Sequence, residues 1–281
     1  MRIDLNSSGR VAAASGVLGV CLILPVHAQQ PAASTDVSQS AKIWIGREAE
    51  IENYLRTAQV VKLADLSVGV THPRKATLAA GGPVDAFAWK VIPPNRYEGF
   101  WESYWSEIAA YELDKLLELH MIPPTVEREY KGDRGAAVMW ASPTKSFKDM
   151  GSRNGAPEAP PQYADAFARQ IVKAKMFDNL INNTDPNAGN WLVDPSWNLI
   201  LIDHTRAFTP GKNMIHEMNH IDADLWTRMQ ALTEASIQSA IGKWLMRGEA
   251  KSLIERRDKM QQIVDALVKA HGDAFVFMKR Q

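Results

Sequence analysis

Three polar side chains, Asp185, Asn190 and Asp203, stand at successive intervals of five and thirteen residues. The first two lie in a turn-rich polar run, and Asp203 directly follows four apolar residues. A carboxylate at the end of a buried strand normally needs a partner or a metal ion. Carboxylate and amide oxygens suit Mg²⁺ or Mn²⁺, and an aspartate can also take a proton from a hydroxyl group. This stretch therefore predicts a site that handles a metal ion, a proton or both.

Each of these residues also has a simpler interpretation. Asp185 before Pro186 is typical of a residue that starts a turn, and Asn187 and Asn190 could cap or bend that turn. Two observations together favour the functional interpretation. One is the joint spacing of these residues with Asp203, and the other is the presence upstream of a lysine on a predicted strand and of glutamates on a predicted helix.

Two predicted elements carry those upstream residues. Residues 86–92 alternate apolar side chains around Lys90 and predict a strand. A lysine there is either a solvated edge residue or one that grips phosphate groups. Residues 103–120 have apolar side chains at helical spacing, and Pro123 and Pro124 follow them, so they predict a helix that ends before the prolines.

The rest of the first half is predicted to be mainly strands. Residues 43–58 predict a short amphipathic helix. Strands are predicted over residues 68–71 and 77–80, and the turn between them contains Arg74 and Lys75.

The order of the elements indicates the fold class. A hairpin over residues 125–140 completes a unit of strands with one helix, and the Pro- and Gly-rich residues 141–161 predict a connection. Helical periodicity follows over residues 163–181, 221–246 and 249–271. The predicted fold class is α+β, with an N-terminal lobe over residues 42–141 and a helical C-terminal lobe over residues 142–281.

The N-terminus predicts an exported protein. An apolar run over residues 11–26 follows basic residues, and its end fits cleavage after Ala28. A membrane anchor is the alternative, but the run is shorter than the ~20 residues that a span needs. Residues 1–28 are therefore predicted as a signal peptide and residues 29–41 as a disordered linker, with no stable membrane span left after cleavage.

Cysteine content and net charge limit the chemistry, the location and the partners expected of the protein. Cys21 is the only cysteine and lies in the predicted signal peptide, so the mature chain would have no disulfide and no thiolate chemistry. An exported chain without disulfides is typical of a bacterial periplasm, and we expect a periplasmic or secreted location. The formal net charge is 0, which gives no whole-protein field for nucleic acid.

Taken in order, these parts resemble the protein-kinase-like superfamily. The likeness is closest to the branch that holds HipA-type kinases, phosphatidylinositol-kinase-like proteins and the secretory-pathway kinases related to four-jointed. It covers roughly residues 60–246, and the interval from Asp185 through Asn190 to Asp203 matches the catalytic and metal-binding residues of protein kinases. The matching residues are 106–117 and 123–126 in one block, and 177–185, 190 and 201–208 in the other.

The resemblance implies a two-lobed protein-kinase-like fold that binds a nucleotide and a metal ion between its lobes. It implies that Lys90 contacts the phosphates of ATP or another nucleoside triphosphate and pairs with a helix glutamate. Asp185 would orient or deprotonate the acceptor hydroxyl, and Asn190 and Asp203 would hold Mg²⁺ or Mn²⁺. Phosphoryl transfer mainly needs charge to be neutralised and groups to be held in line, which explains these residue types.

Two parts of this assignment have alternatives. The resemblance points to Glu107 as the partner of Lys90, whereas the helical wheel puts Glu112 nearer the centre of the apolar face. No G-x-G-x-x-G loop is present. Arg74 and Lys75 could cover the phosphates through side-chain charge, although a solvated hairpin tip would explain them equally well.

The pattern also departs from the superfamily. Pro186 follows Asp185 where the family often has arginine, and His204 stands where protein kinases place phenylalanine. The predicted function is metal-dependent phosphate transfer to a hydroxyl on a protein, sugar or lipid headgroup, with residues 209–219 as a mobile loop near the acceptor. The main alternative is a catalytically silent pseudokinase that binds nucleotide or protein. Transfer of a nucleotide in place of a phosphate is a further alternative.

A histidine-rich stretch offers a last alternative, a metal-dependent hydrolase. His204, His216 and His220 lie close in sequence to Asp222 and Asp224. Their spacing matches no zinc motif such as H-E-x-x-H, so we interpret them as ordinary polar-loop residues.

Overall fold

The computed structural model describes residues 40–66, 73–152 and 155–278. The predicted signal peptide, most of the predicted linker and the predicted strand 68–71 lie outside the described residues. The last two linker residues are packed, because Ser40 Oγ and the Ala41 N–H donate to Asp194 Oδ2 at 2.9 and 3.0 Å. The folded chain therefore begins before residue 42.

A five-stranded antiparallel sheet, in the order β1-β2-β3-β5-β4, forms the N-terminal part of the fold. Its strands are β1 (Val60–Asp65), β2 (Arg74–Leu78), β3 (Ala86–Lys90), β4 (Thr125–Tyr130) and β5 (Asp133–Met139). The β4–β5 connection agrees with the predicted hairpin. Lys131 and Gly132 have φ of 54° and 85°, the two positive values that a type I′ turn requires.

Strand β2 corrects the predicted position of the turn before it. Arg74 and Lys75 were expected between strands, but they form the first two positions of β2 and pair with Trp89 and Ala88 of β3. The strand ends at Leu78 rather than extending to residue 80. Strand β2 is paired on both sides, with β3 as far as Thr77 and with β1 as far as Leu78.

The two faces of the sheet pack against different helices. On one face Phe87 and Trp89 form a core with Ile51 and Leu55 of α1 (Glu48–Thr57). On the other face Ala136 and Val138 of β5 pack against Tyr104 and Ile108 of α2 (Tyr104–Leu116). Side chains alternate along a strand, so Lys90 of β3 points to the same side as Ala88, toward α2. Helix α1 begins later than predicted, because residues 43–46 form a turn and Gly46 has a φ of 76°.

Helix α2 is closed at both ends by side chains. Ser103 caps its start by accepting from the Trp105 N–H at 3.1 Å. Beyond its end, the buried Asp114 carboxylate accepts from the backbone N–H groups of His120, Met121 and Ile122 at 2.9 to 3.2 Å. Burial raises the pKa of Asp114 to about 7, although these donors and the nearby Lys42 ammonium oppose the shift.

The raised pKa of Asp114 predicts a pH dependence of stability. An aspartate in the unfolded chain titrates near pH ~3.9. The pKa of Asp114 is higher in the folded chain, so its protonated form stabilises the fold. This contribution to the free energy of unfolding is fully present below about pH 4 and is lost as the pH rises through about 7. We expect urea midpoints of the wild type to fall between pH 5 and pH 8 by more than those of Asp114→Asn. Asp258→Asn, at an exposed site, serves as the control, and an equal pH dependence in Asp114→Asn and wild type would contradict the expectation.

The C-terminal part of the fold is mainly helical. Helix α3 (Ala164–Ile181) is followed by the antiparallel strands β7 (Trp191–Val193) and β8 (Leu199–Leu201), with the short β6 (Lys145–Ser146) beside β7. The remaining elements are β9 (Ile221–Asp222), α4 (Ala223–Gln230), α5 (Glu234–Ile241), a 3₁₀ turn (Gly242–Trp244), α6 (Glu249–His271), α7 (Asp273–Val276) and β10 (Phe277–Met278).

Helix α6 has the predicted bounds, but the predicted helical stretch 221–246 is divided. Asp222 caps α4 by accepting from the Leu225 N–H at 2.8 Å. Thr233 and Ser236 then form a reciprocal capping box that starts α5. Two caps within one apolar pattern therefore produce two short helices. Among the described residues, none of the helices combines the length and the apolar character needed to cross a bilayer.

Candidate active site

The end of α3 delivers the chain into the predicted catalytic stretch. Asn182 ends the helix with a left-handed φ of 50°, and Asn183 Nδ2 donates to the buried Asp178 Oδ1 at 3.0 Å. The other oxygen of Asp178 lies 3.0 Å from His216 Nε2. Asp178 therefore joins the start of the catalytic stretch to the later loop that contains His216.

Strands β7 and β8 bring Asn190 and Asp203 together. Asn190 precedes β7, Asp203 follows β8, and Trp191 pairs with Leu201, so the two polar residues stand at one end of the same hairpin. The Ile202 N–H donates to the Asn190 carbonyl at 3.0 Å. Asn190 Nδ2 donates to the Asp185 carbonyl at 3.1 Å. The three residues singled out by their spacing thus lie in one local arrangement.

Lys90 joins the sheet to this arrangement. Its ammonium donates to Glu107 Oε1 of α2 and to Asp203 Oδ1, the latter at 2.7 Å. Lys90 and Glu107 are both buried, and Glu107 is only 1% exposed. The Lys90–Glu107–Asp203 triad therefore connects strand β3, helix α2 and the residue that follows β8.

The charges of this triad hold one another in the ionised form. Burial by itself lowers the pKa of Lys90, but the Asp203 and Glu107 carboxylates outweigh burial and raise that pKa above its ordinary value. Burial likewise opposes the ionisation of Asp203, yet the Lys90 ammonium keeps the pKa of Asp203 below its usual range. A fixed ammonium and a fixed carboxylate therefore face each other at the junction of sheet and hairpin.

The backbone at Asp203 is strained. Its φ is 64°, in the left-handed region that few residues other than glycine adopt and that aspartate tolerates better than most. Thr205 Oγ1 lies 3.4 Å from Asp203 Oδ1 and adds a contact on the same oxygen as Lys90. Strain that the surrounding structure maintains is common at functional sites.

Asn190 and Asp203 fit a hard divalent cation. Asn190 uses its amide nitrogen on the Asp185 carbonyl, which leaves its amide oxygen as the possible ligand. Mg²⁺ is typically held by one or two protein oxygens together with substrate phosphates and water. An aspartate and an asparagine oxygen at one hairpin end match that requirement.

Glu112, the alternative partner of Lys90, lies elsewhere. It is partly exposed and pairs with Lys115 at 2.9 Å. Lys115 also binds Glu52 of α1 at 2.7 Å. Glu112 therefore belongs to the contact between the two helices of the N-terminal part.

Arg74 and Lys75 lie on opposite faces of β2. Lys75 is paired with Ala88, which places it on the same face as Lys90, and its ammonium lies 4.1 Å from the ring centroid of Trp140. Arg74 is on the other face, and its guanidinium lies 3.5 Å from Asp133. Of the two predicted phosphate-binding residues, the structure brings only Lys75 to the face that carries Lys90.

Two residues of the site were given no role by the sequence, although Arg206 lies in the block 201–208 that resembles the superfamily. The guanidinium of Arg206 binds the buried Glu102 at 3.0 Å, and its Nη1 lies 4.0 Å from Asp185 Oδ2. Arg206 follows Asp203 by three residues and Glu102 precedes the predicted helix by one. Because both lie in loops, no periodicity indicated that they would meet beside Asp185.

The segment predicted as a mobile loop, residues 209–219, is tied at several points. Asn179 Oδ1 accepts from the backbone N–H groups of Ile215 and His216 at 2.7 and 2.8 Å. The fully buried Arg256 of α6 donates to the carbonyls of Leu180 and Thr209 at 2.7 and 3.0 Å.

The histidines and aspartates considered for zinc are dispersed. His220 lies against the Phe275 carbonyl, and Asp222 pairs with Arg169. His204 is buried, and burial lowers its pKa. Within the described ranges, no group of three His, Cys, Asp or Glu side chains is placed to hold a metal ion.

Comparison with known proteins gives structural likeness without sequence likeness. No protein-family profile matches the chain, and no curated protein matches it. A structure of hydra Fam20 with sugar has a TM-score of 0.61 at 14% identity, covering 83% of this chain and 92% of that one. The Golgi casein kinase with Mn/ADP bound has a TM-score of 0.62 at 14% identity, covering 82% and 78%. Another structure of the Golgi casein kinase has a TM-score of 0.63 at 15% identity, covering 82% and 77%.

These likenesses show the fold. The chain has a two-lobed protein-kinase-like fold, with a small sheet-plus-helix N-terminal lobe and a larger, mainly helical C-terminal lobe. The predicted α+β fold class is confirmed. The narrower branch suggested by the sequence stays a prediction, because identities of 14% and 15% do not distinguish branches.

Proposed function

We propose that this protein is an exported phosphotransferase that moves the γ-phosphoryl group of ATP, or of another nucleoside triphosphate, to a hydroxyl group. The observation that carries the proposal is the charged triad of Lys90, Glu107 and Asp203, in which Lys90 and Glu107 are buried and Asp203 is 30% exposed. Burying the charges of Lys90 and Glu107 is costly, and the triad leaves an ammonium and an acidic oxygen at the junction of the lobes. A polyphosphate with its metal ion has the complementary charges for those groups.

The chain's own residues divide the work of such a transfer. Lys90 would bind the phosphates, held in place by Glu107. Asn190 and Asp203 would hold Mg²⁺ or Mn²⁺, which neutralises phosphate charge when bound. Asp185, 37% exposed, would accept the proton of the acceptor hydroxyl while the oxygen of that hydroxyl bonds to the γ-phosphorus. The nucleoside diphosphate then leaves with the electron pair of the broken bond.

The structural neighbours support the classes of ligand. One was crystallised with Mn/ADP and another with sugar. We therefore propose nucleotide with Mg²⁺ or Mn²⁺ as cofactors and a hydroxyl on a sugar, a protein or a lipid headgroup as the acceptor. The predicted signal peptide supports a periplasmic or secreted location.

Ligand-dependent stability tests the nucleotide site. For the mature chain, ATP with Mn²⁺ at about a hundred times the dissociation constant should add roughly 2.7 kcal/mol to the free energy of unfolding. Asp203→Ala should lose this stabilisation, whereas Asp224→Ala, at an exposed ion pair with Arg169, should keep it. Thermal unfolding with Mn²⁺ alone and with ATP alone provides the remaining controls.

The outcomes separate the proposed enzyme from its alternative. If ATP with Mn²⁺ leaves the wild-type melting temperature unchanged, the phosphotransferase proposal fails. Stabilisation without transfer of phosphate or nucleotide to any sugar, protein or lipid offered would instead indicate a nucleotide-binding pseudokinase.

A further inference from the structure

Arg206 is the only cation within 4.0 Å of the Asp185 carboxylate in the part of the chain that the structure describes. Its Nη1 stands 4.0 Å from Asp185 Oδ2, which is an ion-pair distance but too long for a hydrogen bond. Both side chains are 37% exposed, so a ligand can reach them. A positive charge therefore stands beside the residue proposed to receive the acceptor hydroxyl.

The guanidinium of Arg206 is fixed by its contacts with Glu102. Glu102, which is buried, accepts through Oε1 from Arg206 Nε at 3.0 Å and lies 3.0 Å from Nη2. The main chain is fixed as well, because Thr184 Oγ1 donates to the Arg206 carbonyl at 3.1 Å. Arg206 is thereby anchored both to the segment before α2 and to the residue before Asp185.

This anchoring leaves donors unused on the side of Asp185. A guanidinium has five N–H donors in a rigid planar fork. The Nε–H donates to Glu102, and Nη2 contacts the same oxygen only as an ion pair, so four N–H donors remain, and two of them are on Nη1. A fork of this kind fits phosphate oxygens well.

The space between Arg206 and the metal ligands is where the transferred phosphoryl group would lie. Asp203 lies three residues before Arg206, and Asn190 donates to the Asp185 carbonyl. A phosphoryl group in line between the metal side and an acceptor at Asp185 would lie within reach of Nη1. We propose that Arg206 is a further catalytic residue that donates hydrogen bonds to the equatorial oxygens of the transferred phosphoryl group, with Glu102 as its positioning residue.

This role deepens the proposed function and rests on it. The acceptor oxygen forms its bond to the γ-phosphorus while the bond to the β,γ-bridging oxygen breaks. The hydroxyl proton goes to Asp185, and the electron pair of the broken bond leaves with the nucleoside diphosphate. Arg206 neither gains nor loses a proton, and it stabilises the negative charge on the equatorial oxygens of the transferred phosphoryl group.

A phosphoryl mimic tests the role without knowledge of the acceptor. The dissociation constant of ADP with Mn²⁺ is measured by calorimetry in the absence and presence of aluminium fluoride. We expect aluminium fluoride to tighten wild-type binding by roughly tenfold to a hundredfold, as charge-assisted hydrogen bonds would. Arg206→Ala should bind ADP with Mn²⁺ within about twofold of the wild type but lose most of the gain. Arg206→Lys and Glu102→Gln should lose part of it.

Arg228→Ala is the matched control. Arg228 is 38% exposed and pairs with Glu118 at 2.7 Å, so it resembles Arg206 in exposure and in having a glutamate partner, and that pair does not include Asp185. It should keep the full gain.

The possible failures are distinct. A full gain in Arg206→Ala, or no gain in a wild type that binds ADP, would overturn the role of Arg206 alone. Loss of ADP binding itself in Arg206→Ala, Arg206→Lys and Glu102→Gln would also overturn it, because Arg206 would then support the nucleotide site. A wild type that binds no ADP with Mn²⁺ would overturn the proposed function and this role with it.

Discussion

Replacement of Lys90 by methionine is expected to lower the free energy of unfolding by roughly 3–5 kcal/mol and to abolish phosphate transfer. The stability loss arises because Glu107, 1% exposed, would keep a buried charge without its cation. The functional loss arises because the phosphates would lose their ammonium partner. Urea unfolding in the absence of ligands measures the first effect, and nucleotide binding measures the second.

A compensating variant separates the two effects of Lys90. Replacing a buried ion pair by apolar residues of similar size is often close to neutral in stability. Lys90→Met combined with Glu107→Leu should therefore recover most of the stability lost in Lys90→Met but none of the nucleotide binding. Recovery of binding in the double variant would mean that Lys90 acts only as the structural partner of Glu107.

Lys115 provides the matched control for this prediction. Its ammonium also bridges two carboxylates, those of Glu52 and Glu112, but it is 32% exposed. Solvent screens such pairs, so Lys115→Met should cost no more than about 1 kcal/mol. If Lys90→Met cost no more than Lys115→Met, the Lys90–Glu107–Asp203 triad would not have the electrostatic importance inferred from its geometry.

Replacement of Asp185 by asparagine is expected to reduce transfer by roughly 10²- to 10⁴-fold, the usual contribution of a general base. Nucleotide binding with Mn²⁺ should stay within about twofold of the wild type, because Asp185 is proposed to meet the acceptor hydroxyl. This separates Asp185 from Asp203, whose replacement should remove metal-dependent binding itself.

The controls for Asp185 address its structural role. Its side chain is 37% exposed, and surface substitutions usually change stability by no more than about 0.5 kcal/mol. Asp224→Asn alters another exposed aspartate that has an arginine partner and should keep full transfer. A large loss of stability or of nucleotide binding in Asp185→Asn would show that Asp185 mainly holds the turn before Pro186.

The relation of Asp185, Asn190 and Asp203 could be predicted from the sequence because it is local. One short hairpin separates Asn190 from Asp203, and five residues separate Asn190 from Asp185. Antiparallel pairing of β7 with β8 is enough to bring them together. Lys90 was identifiable on its strand for a similar reason, since alternation around it marked β3.

The glutamate that meets Lys90 could not be chosen by helical periodicity. The helical wheel assumes that one face of a helix is buried, but α2 is buried on more than one side, and Glu107, Ser106 and Asp114 are all buried. The apolar face therefore does not identify the side that meets Lys90. Only the packing of α2 between the sheet and the C-terminal lobe decided that the ammonium binds Glu107 and that Glu112 binds Lys115.

The sequence by itself determined the α+β class and the apolar strand that ends at Asp203, because both follow from the hydrophobic pattern of the chain. The tertiary structure alone decided which long-range charges meet. Arg206, Glu102 and Asp185 come from three different loops, and their contact depends on where the lobes place those loops. Loop side chains have no periodicity of their own, so their partners follow from packing of the whole chain.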